Sequence, residues 1–217
     1  MLEAQGLYRF FHQGDEEVVA LAGVSLKVEL GELVAVQGPS GSGKSTLLAC
    51  LAGLDDPDGG TVRVGGRVVS RRPEPERAAL RARDIGLLFQ TATLLDHLTV
   101  DENITFVQRL ARRADRGRSD ELLEQLRLSH RRGALPKELS GGEVARAGLA
   151  VACANHPTVL LADEPTGEVD SVIETDVITL LRRQAREGAA VVVVTHSDAV
   201  SSAADRVVHM DDGRFVA

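Results

Sequence analysis

Gly38-Pro39-Ser40-Gly41-Ser42-Gly43-Lys44-Ser45 fits the pattern G-x-x-x-x-G-K-[ST], and Thr46-Leu47-Leu48-Ala49 continues it with helical character. Glycines in such a segment let the backbone curl until successive amides converge on phosphate oxygens, and the positive end of the following helix adds to the attraction. Lys44 is placed to reach the β- and γ-phosphates of a nucleotide, and the Ser45 hydroxyl to ligate Mg2+. A glycine-rich turn is the bland alternative. The apolar run Leu33-Val34-Ala35-Val36 just before the loop argues against it, as does the rarity of lysine, found only at Lys27, Lys44 and Lys137. A metal-bound phosphate also calls for a carboxylate on a neighbouring strand. Val159-Leu160-Leu161-Ala162 ends in Asp163-Glu164, at the carboxyl end where ligands of open α/β sheets bind. Asp163 is the candidate to hold Mg2+ through water, and Glu164 to orient or deprotonate a water attacking the γ-phosphate.

These groups need a scaffold. The runs at 33–36, 159–162 and Val191-Val192-Val193-Val194 are apolar throughout, as strands of a helix-covered parallel sheet are. Ile173, Val177, Leu180 and Leu181 share one helical face. Val24, Leu26 and Val28 alternate with polar neighbours, and Thr61–Val64, Gly65-Gly66 and Arg67–Val69 read as a hairpin on a glycine turn. The expectation is an α/β fold: a P-loop core with a mainly parallel sheet, a flanking antiparallel sheet, and a mainly helical insertion over Asp101 to Leu128. Arg71–Arg77 and Arg109–Arg118 read as surface connectors.

With 217 residues there is room for one domain or two small ones, and 43% hydrophobic residues suffice for a core. A net charge of −7 disfavours nucleic acid as a partner. Cys50 and Cys153 are too few for a disulfide scaffold and lack metal-ligand spacing; both fall on expected helices and read as small hydrophobes. No apolar run approaches the ~18 residues of a membrane span, and the first residues show no signal-peptide core, so a cytosolic domain without its own membrane span is expected.

Leu139-Ser140-Gly141-Gly142-Glu143 precedes a further helical run and makes a second anion-binding helix start, with Ser140 a plausible cap. One phosphate loop needs only one cradle, so Ser140-Gly141-Gly142 is best placed to close on a nucleotide held by another copy. At this point the chain resembles the ATP-binding-cassette (ABC) ATPases, whose signature is LSGGQ or LSGGE, and the resemblance follows nearly the whole chain in order.

The resemblance implies ATP and Mg2+ as ligands, and a single cassette over 1–217. It places an antiparallel β-subdomain at about 1–30 and 60–70 and a helical subdomain at about 91–157, carrying the Q-loop and signature, with the remainder as P-loop core. It implies that Gln90 senses metal and attacking water, that His196 contacts the γ-phosphate, and that Asp170 crosses the dimer interface. It places Phe11 against adenine, with Tyr8 and Phe10 near enough to compete. The other histidines, His12, His97, His130, His156 and His209, match no motif and read as surface residues. Partners would be a second copy or a homologous cassette, and an integral membrane permease received beside Gln90–Val100, at the inner face of the plasma membrane.

Within the family, Ala20–Leu26, Leu51–Asp55 and Leu161–Gly167 are most similar to the LolD/MacB group of lipoprotein-release and macrolide-export cassettes. The chain departs from that group at Val144, Ala145 and Val151, at Ser197 after the switch histidine, and at Glu168-Val169 before Asp170. A cell-division-type cassette that signals mechanically to cell-wall hydrolases is the alternative; a soluble repair or translation cassette and a P-loop kinase fit less well.

Overall fold

The computed structural model describes residues 1–13, 16–89, 94–167 and 171–216. Strands β1 (Leu2–Gln13), β2 (Glu16–Val28), β4 (Gly59–Val64) and β5 (Arg67–Val68) form a four-stranded antiparallel sheet in the order β2-β1-β4-β5. The β4–β5 turn is Gly65-Gly66, with φ of 56° and 79°, the two left-handed positions that a tight hairpin requires.

The second sheet has six strands in the order β10-β9-β3-β8-β7-β6. Its members are β3 (Leu33–Gln37), β6 (Ile85–Leu88), β7 (Val159–Asp163), β8 (Ala190–Val194), β9 (Arg206–Asp211) and β10 (Arg214–Val216). All its pairings are parallel except β9 with β10.

Alternation along the apolar runs sends side chains to two separate cores. Val34, Val36, Val159, Leu161, Val192 and Val194 face α1 (Lys44–Leu51) and the small sheet. Leu33, Leu160, Ala162, Val191 and Val193 face α3 (Val100–Leu110), α4 (Arg116–Gln125), α5 (Gly141–Cys153) and α6 (Ser171–Arg186). Two-sided burial is why these strands lack a polar alternation. On α6, Val177, Leu180 and Leu181 are buried and Ile173 packs against the same cluster, as their spacing predicts. Cys50 and Cys153 are both buried, and burial pushes each thiol up to about 12, which leaves them as apolar filling.

Two expectations fail. Only the first part of 71–77 is a connector, because Pro73 starts α2 (Glu74–Asp84), with Glu74 and Glu76 in its first turn and Arg81 and Arg83 in its last, the arrangement that the helix dipole favours. Within 109–118, α3 runs to Leu110, α4 begins at Arg116, and Arg118 is buried at 3% exposure. Its guanidinium donates to the Cys153 carbonyl (3.2 Å) at the end of α5, to Gln184 Oε1 (3.1 Å) on α6, and to Glu121 (2.9 Å). A charge count cannot distinguish this ionic tie from a solvated arginine. Arg118→Ala leaves buried acceptors unpaired and should lower stability by about 3 kcal/mol in urea unfolding, whereas exposed Arg116→Ala should stay within about 0.5 kcal/mol.

Candidate active site

The phosphate loop runs from the end of β3 into α1, and its shape depends on glycine. Gly43 has φ 101°, and a Cβ there would run into the Ala20 carbonyl. Gly38 has φ 153°, and a Cβ there would strike the Met210 carbonyl. The β9–β10 turn braces the loop: the Gly213 amide donates to the Ser42 carbonyl (3.0 Å), and the Gly213 carbonyl accepts from Ala22 of β2 (2.8 Å). The two sheets are thus clasped around the loop.

Lys44 is buried, its Nζ donating to the carbonyls of Gly38 (2.8 Å) and Pro39 (2.7 Å). An ammonium satisfied by its own loop is poised to exchange those acceptors for phosphate oxygens. Ser45 Oγ donates to Asp163 Oδ2 at 3.1 Å, although the two lie 118 residues apart. A hydroxyl beside a carboxylate, next to a phosphate loop, is a hard-oxygen donor set that fits Mg2+.

Strand register carries the remaining groups to the same edge. Asp163 pairs with Val194, the Glu164 amide donates to the Val194 carbonyl (2.9 Å), and the Thr195 amide to the Val36 carbonyl (3.1 Å). Glu164 takes φ 47°, a left-handed conformation that costs a non-glycine residue of order 1 kcal/mol. Its carboxylate accepts from the His196 amide (3.2 Å), and Oε1 lies 3.6 Å from His196 Nε2. His196 is otherwise open, its side chain 60% exposed.

These residues line one cavity of about 520 Å3, which takes in Ser40, Gly41, Gly43 and Thr46 of the loop together with Lys44, Ser45, Asp163, Glu164 and His196. Phe11 also lines it, and Tyr8 and Phe10 do not; they stack on each other with centroids 6.3 Å apart. The Arg9 guanidinium, fixed by Asp55 and Asp58, covers the Phe11 ring at 4.6 Å. Val18, Val19, Ala20, Gly167 and Val194 also line the cavity, and sequence reasoning missed them, because short apolar or glycine positions in strands and turns carry no local signal of a ligand. A groove of about 580 Å3 over β5 and α2 contains none of the expected residues, and its Arg67, Arg77 and Arg83 are paired with acids of the same chain.

Gln90 and Asp170 lie outside the described residues, as do Glu168 and Val169. Ser140, Gly141 and Gly142 do not line the cavity. They form the start of α5, where Ser140 and Gly141 are exposed. Ser140 caps the helix reciprocally with Glu143: the Glu143 amide donates to Ser140 Oγ (3.3 Å), while Glu143 Oε2 accepts from the Ser140 amide (2.8 Å) and hydroxyl (3.0 Å). Ser140 thus caps the helix as its position predicts, and the S-x-x-E spacing also carries the signal for the reciprocal bond from Glu143. The Ser140 amide, Arg131 and the Ser140 hydroxyl hold the Glu143 carboxylate down to about 2.

Three of the departures from the group pattern have local roles here. Val144 and Val151 pack against the helical core cluster. Ser197 caps α7 (Asp198–Ala203) through the Val200 amide, and its hydroxyl donates to Glu174 of α6 at 2.6 Å. The five unassigned histidines are exposed, as expected.

A sequence profile of the family described as "ABC transporter" matches residues 21–167. The macrolide export ATP-binding/permease protein MacB of Burkholderia thailandensis is 42% identical over 219 residues, which cover 100% of this chain and 34% of that protein. MacB of Salmonella typhimurium is 40% identical over 219 residues, with the same coverage of 100% and 34%. The chain thus spans about a third of the length of these curated relatives. Among solved structures, the dimeric bacterial ABC transporter cassette MJ0796 superposes with a TM-score of 0.95 at 32% identity, covering 100% of this chain and 97% of that one. The dimer of the same cassette in a post-hydrolysis state, bound to ADP and Pi, gives 0.95 at 33% identity, again covering 100% and 97%.

Gly43→Ala should lower stability by about 2 kcal/mol in urea unfolding and weaken fluorescent-nucleotide binding at least tenfold. Because the Glu143 carboxyl lies below its ordinary 4.5 in the folded chain, it contributes stability above about pH 4.5 that is lost as pH falls towards 2. The stability difference between the parent and Glu143→Gln, from urea titrations at successive pH values, should therefore close over that window.

Proposed function

Because the chain belongs to the ABC transporter family, as an ATP-binding cassette, we propose that it binds ATP with Mg2+ and hydrolyses it as half of a head-to-tail pair that drives a membrane permease. The observation that carries this reading is the meeting of Ser45 and Asp163 at 3.1 Å beside Lys44, with Glu164 and His196 at the same cavity mouth. Ser45 and Asp163, with Gln90, would hold Mg2+, which when bound neutralises charge on the phosphate oxygens.

In this assignment the loop amides and Lys44 cradle the β- and γ-phosphates, and Phe11 supports the base. Glu164 takes the proton of the attacking water. Its left-handed backbone and the His196 amide fix where that carboxylate points. His196, with its imidazole largely exposed, contacts the γ-phosphate. Each site is completed by Ser140-Gly141-Gly142 of the other copy, an open helix start that lies away from its own chain's cavity. Asp170 would cross between the copies, and the segment at about 91–157 would form the helical subdomain that moves against the core.

Among the described residues no helix is long and apolar enough to cross a membrane. On the family's pattern, we place the chain at the inner face of the plasma membrane, against a permease received beside Gln90–Val100. The MacB relatives, named for macrolide export, favour an export role over cell-division-type signalling.

Glu164→Gln should retain ATP binding, lose hydrolysis by at least about a hundredfold and accumulate an ATP-bound dimer, read by phosphate release and light scattering; hydrolysis at the parental rate would overturn the assignment. Lys44→Ala should abolish most ATP affinity by calorimetry.

A further inference from the structure

The signature helix of this chain carries an acid where an anion is to be received. Glu143 is the third residue of α5, 8% exposed, and its carboxylate points back to Ser140. A negative charge there favours the isolated helix, but it opposes the positive helix end that would attract a triphosphate.

One guanidinium answers that charge. Arg131, in the short 3-10 turn Ser129–Arg131, donates Nε to Glu143 Oε1 at 2.8 Å, on the oxygen not used by Ser140. The two carboxylate oxygens are therefore divided between a cation and the Ser140 amide and hydroxyl. His130 Nε2 lies 3.6 Å from Oε1 but has a side chain 65% exposed. The Arg131 side chain is 41% exposed and the Glu143 side chain 10%, so the pair is anchored at the buried acid.

We propose that Arg131 is a positioning residue: it is the counter-charge that allows a signature bearing glutamate at position 143 to accept the triphosphate of a second copy, and it holds that carboxylate so that the Ser140 hydroxyl is set before the phosphate arrives. The proposal rests on the two-copy reading above. Without Arg131 the carboxylate would face the incoming phosphates uncompensated, and a neutral glutamine at 143 would have no need of it.

The test is a double-mutant cycle in the full chain, on the Glu164→Gln background, measuring ATP-driven dimerisation by analytical ultracentrifugation and monomer ATP affinity by calorimetry. Arg131→Ala should weaken dimerisation about fivefold at unchanged ATP affinity, more at low salt than at high salt. Arg131→Lys should recover part of the loss. In a Glu143→Gln chain, Arg131→Ala should have no effect on dimerisation. An equal loss with glutamine at 143 would overturn the proposal, because Arg131 would then act by another route. Ser140→Ala separates the two readings. If it weakens dimerisation and Arg131→Ala does not, the role of Arg131 is refuted and the two-copy site stands. If Ser140→Ala has no effect either, the two-copy site fails and the proposal falls with it. Unchanged thermal unfolding of the Arg131→Lys chain excludes misfolding as the source of its residual loss.

Discussion

A sheet buried on both faces can present polar groups only where its strands stop. In this chain β3, β7 and β8 lie side by side and parallel, so their carboxyl ends come to one edge. The phosphate loop leaves β3 there, Asp163 and Glu164 close β7 there, and His196 follows β8 there. Lys44, Ser45, Asp163, Glu164 and His196 all depend on that shared edge. A slip of one residue in β7 would turn Asp163 from the Ser45 face of the sheet to the other.

Local conformation is set against this register. Gly38 and Gly43 allow close backbone approach from the β9–β10 hairpin and from β2, so both sheets brace the loop. Glu164 holds a left-handed backbone whose amide is tied to the Val194 carbonyl, while the His196 amide holds its carboxylate. Strain at a carboxylate beside a cavity is consistent with a group held for chemistry, since a relaxed turn would suit a purely structural acid.

The start of α5 shows the same economy at the opposite kind of surface. Ser140 and Glu143 satisfy each other, Arg131 balances the acid, and the glycines between them carry no side chain to obstruct an approaching anion. The helix is anchored below by Arg118, which grips the carbonyl at its far end and joins it to α4 and α6. Residues that depart from the usual group pattern, at Val144, Val151 and Ser197, are absorbed by packing or capping.

Residue types and spacing by themselves determined the phosphate loop, the acidic end of β7, the capped glycine start of α5 and the two-sided burial of the parallel strands. Each is a local matter of backbone conformation, helix dipole or side-chain alternation, legible within about ten residues. Tertiary structure alone decided what distant segments share. It placed Ser45 against Asp163 across 118 residues, chose Phe11 over Tyr8 and Phe10 to line the cavity, and added Val18 and Val19 from the paired strand. It also buried Arg118, and it set Arg131 on Glu143, although nothing in their local sequence marks either arginine for burial or pairing. Charge, burial and contact at such positions are fixed by which elements pack together, and that is a property of the whole chain.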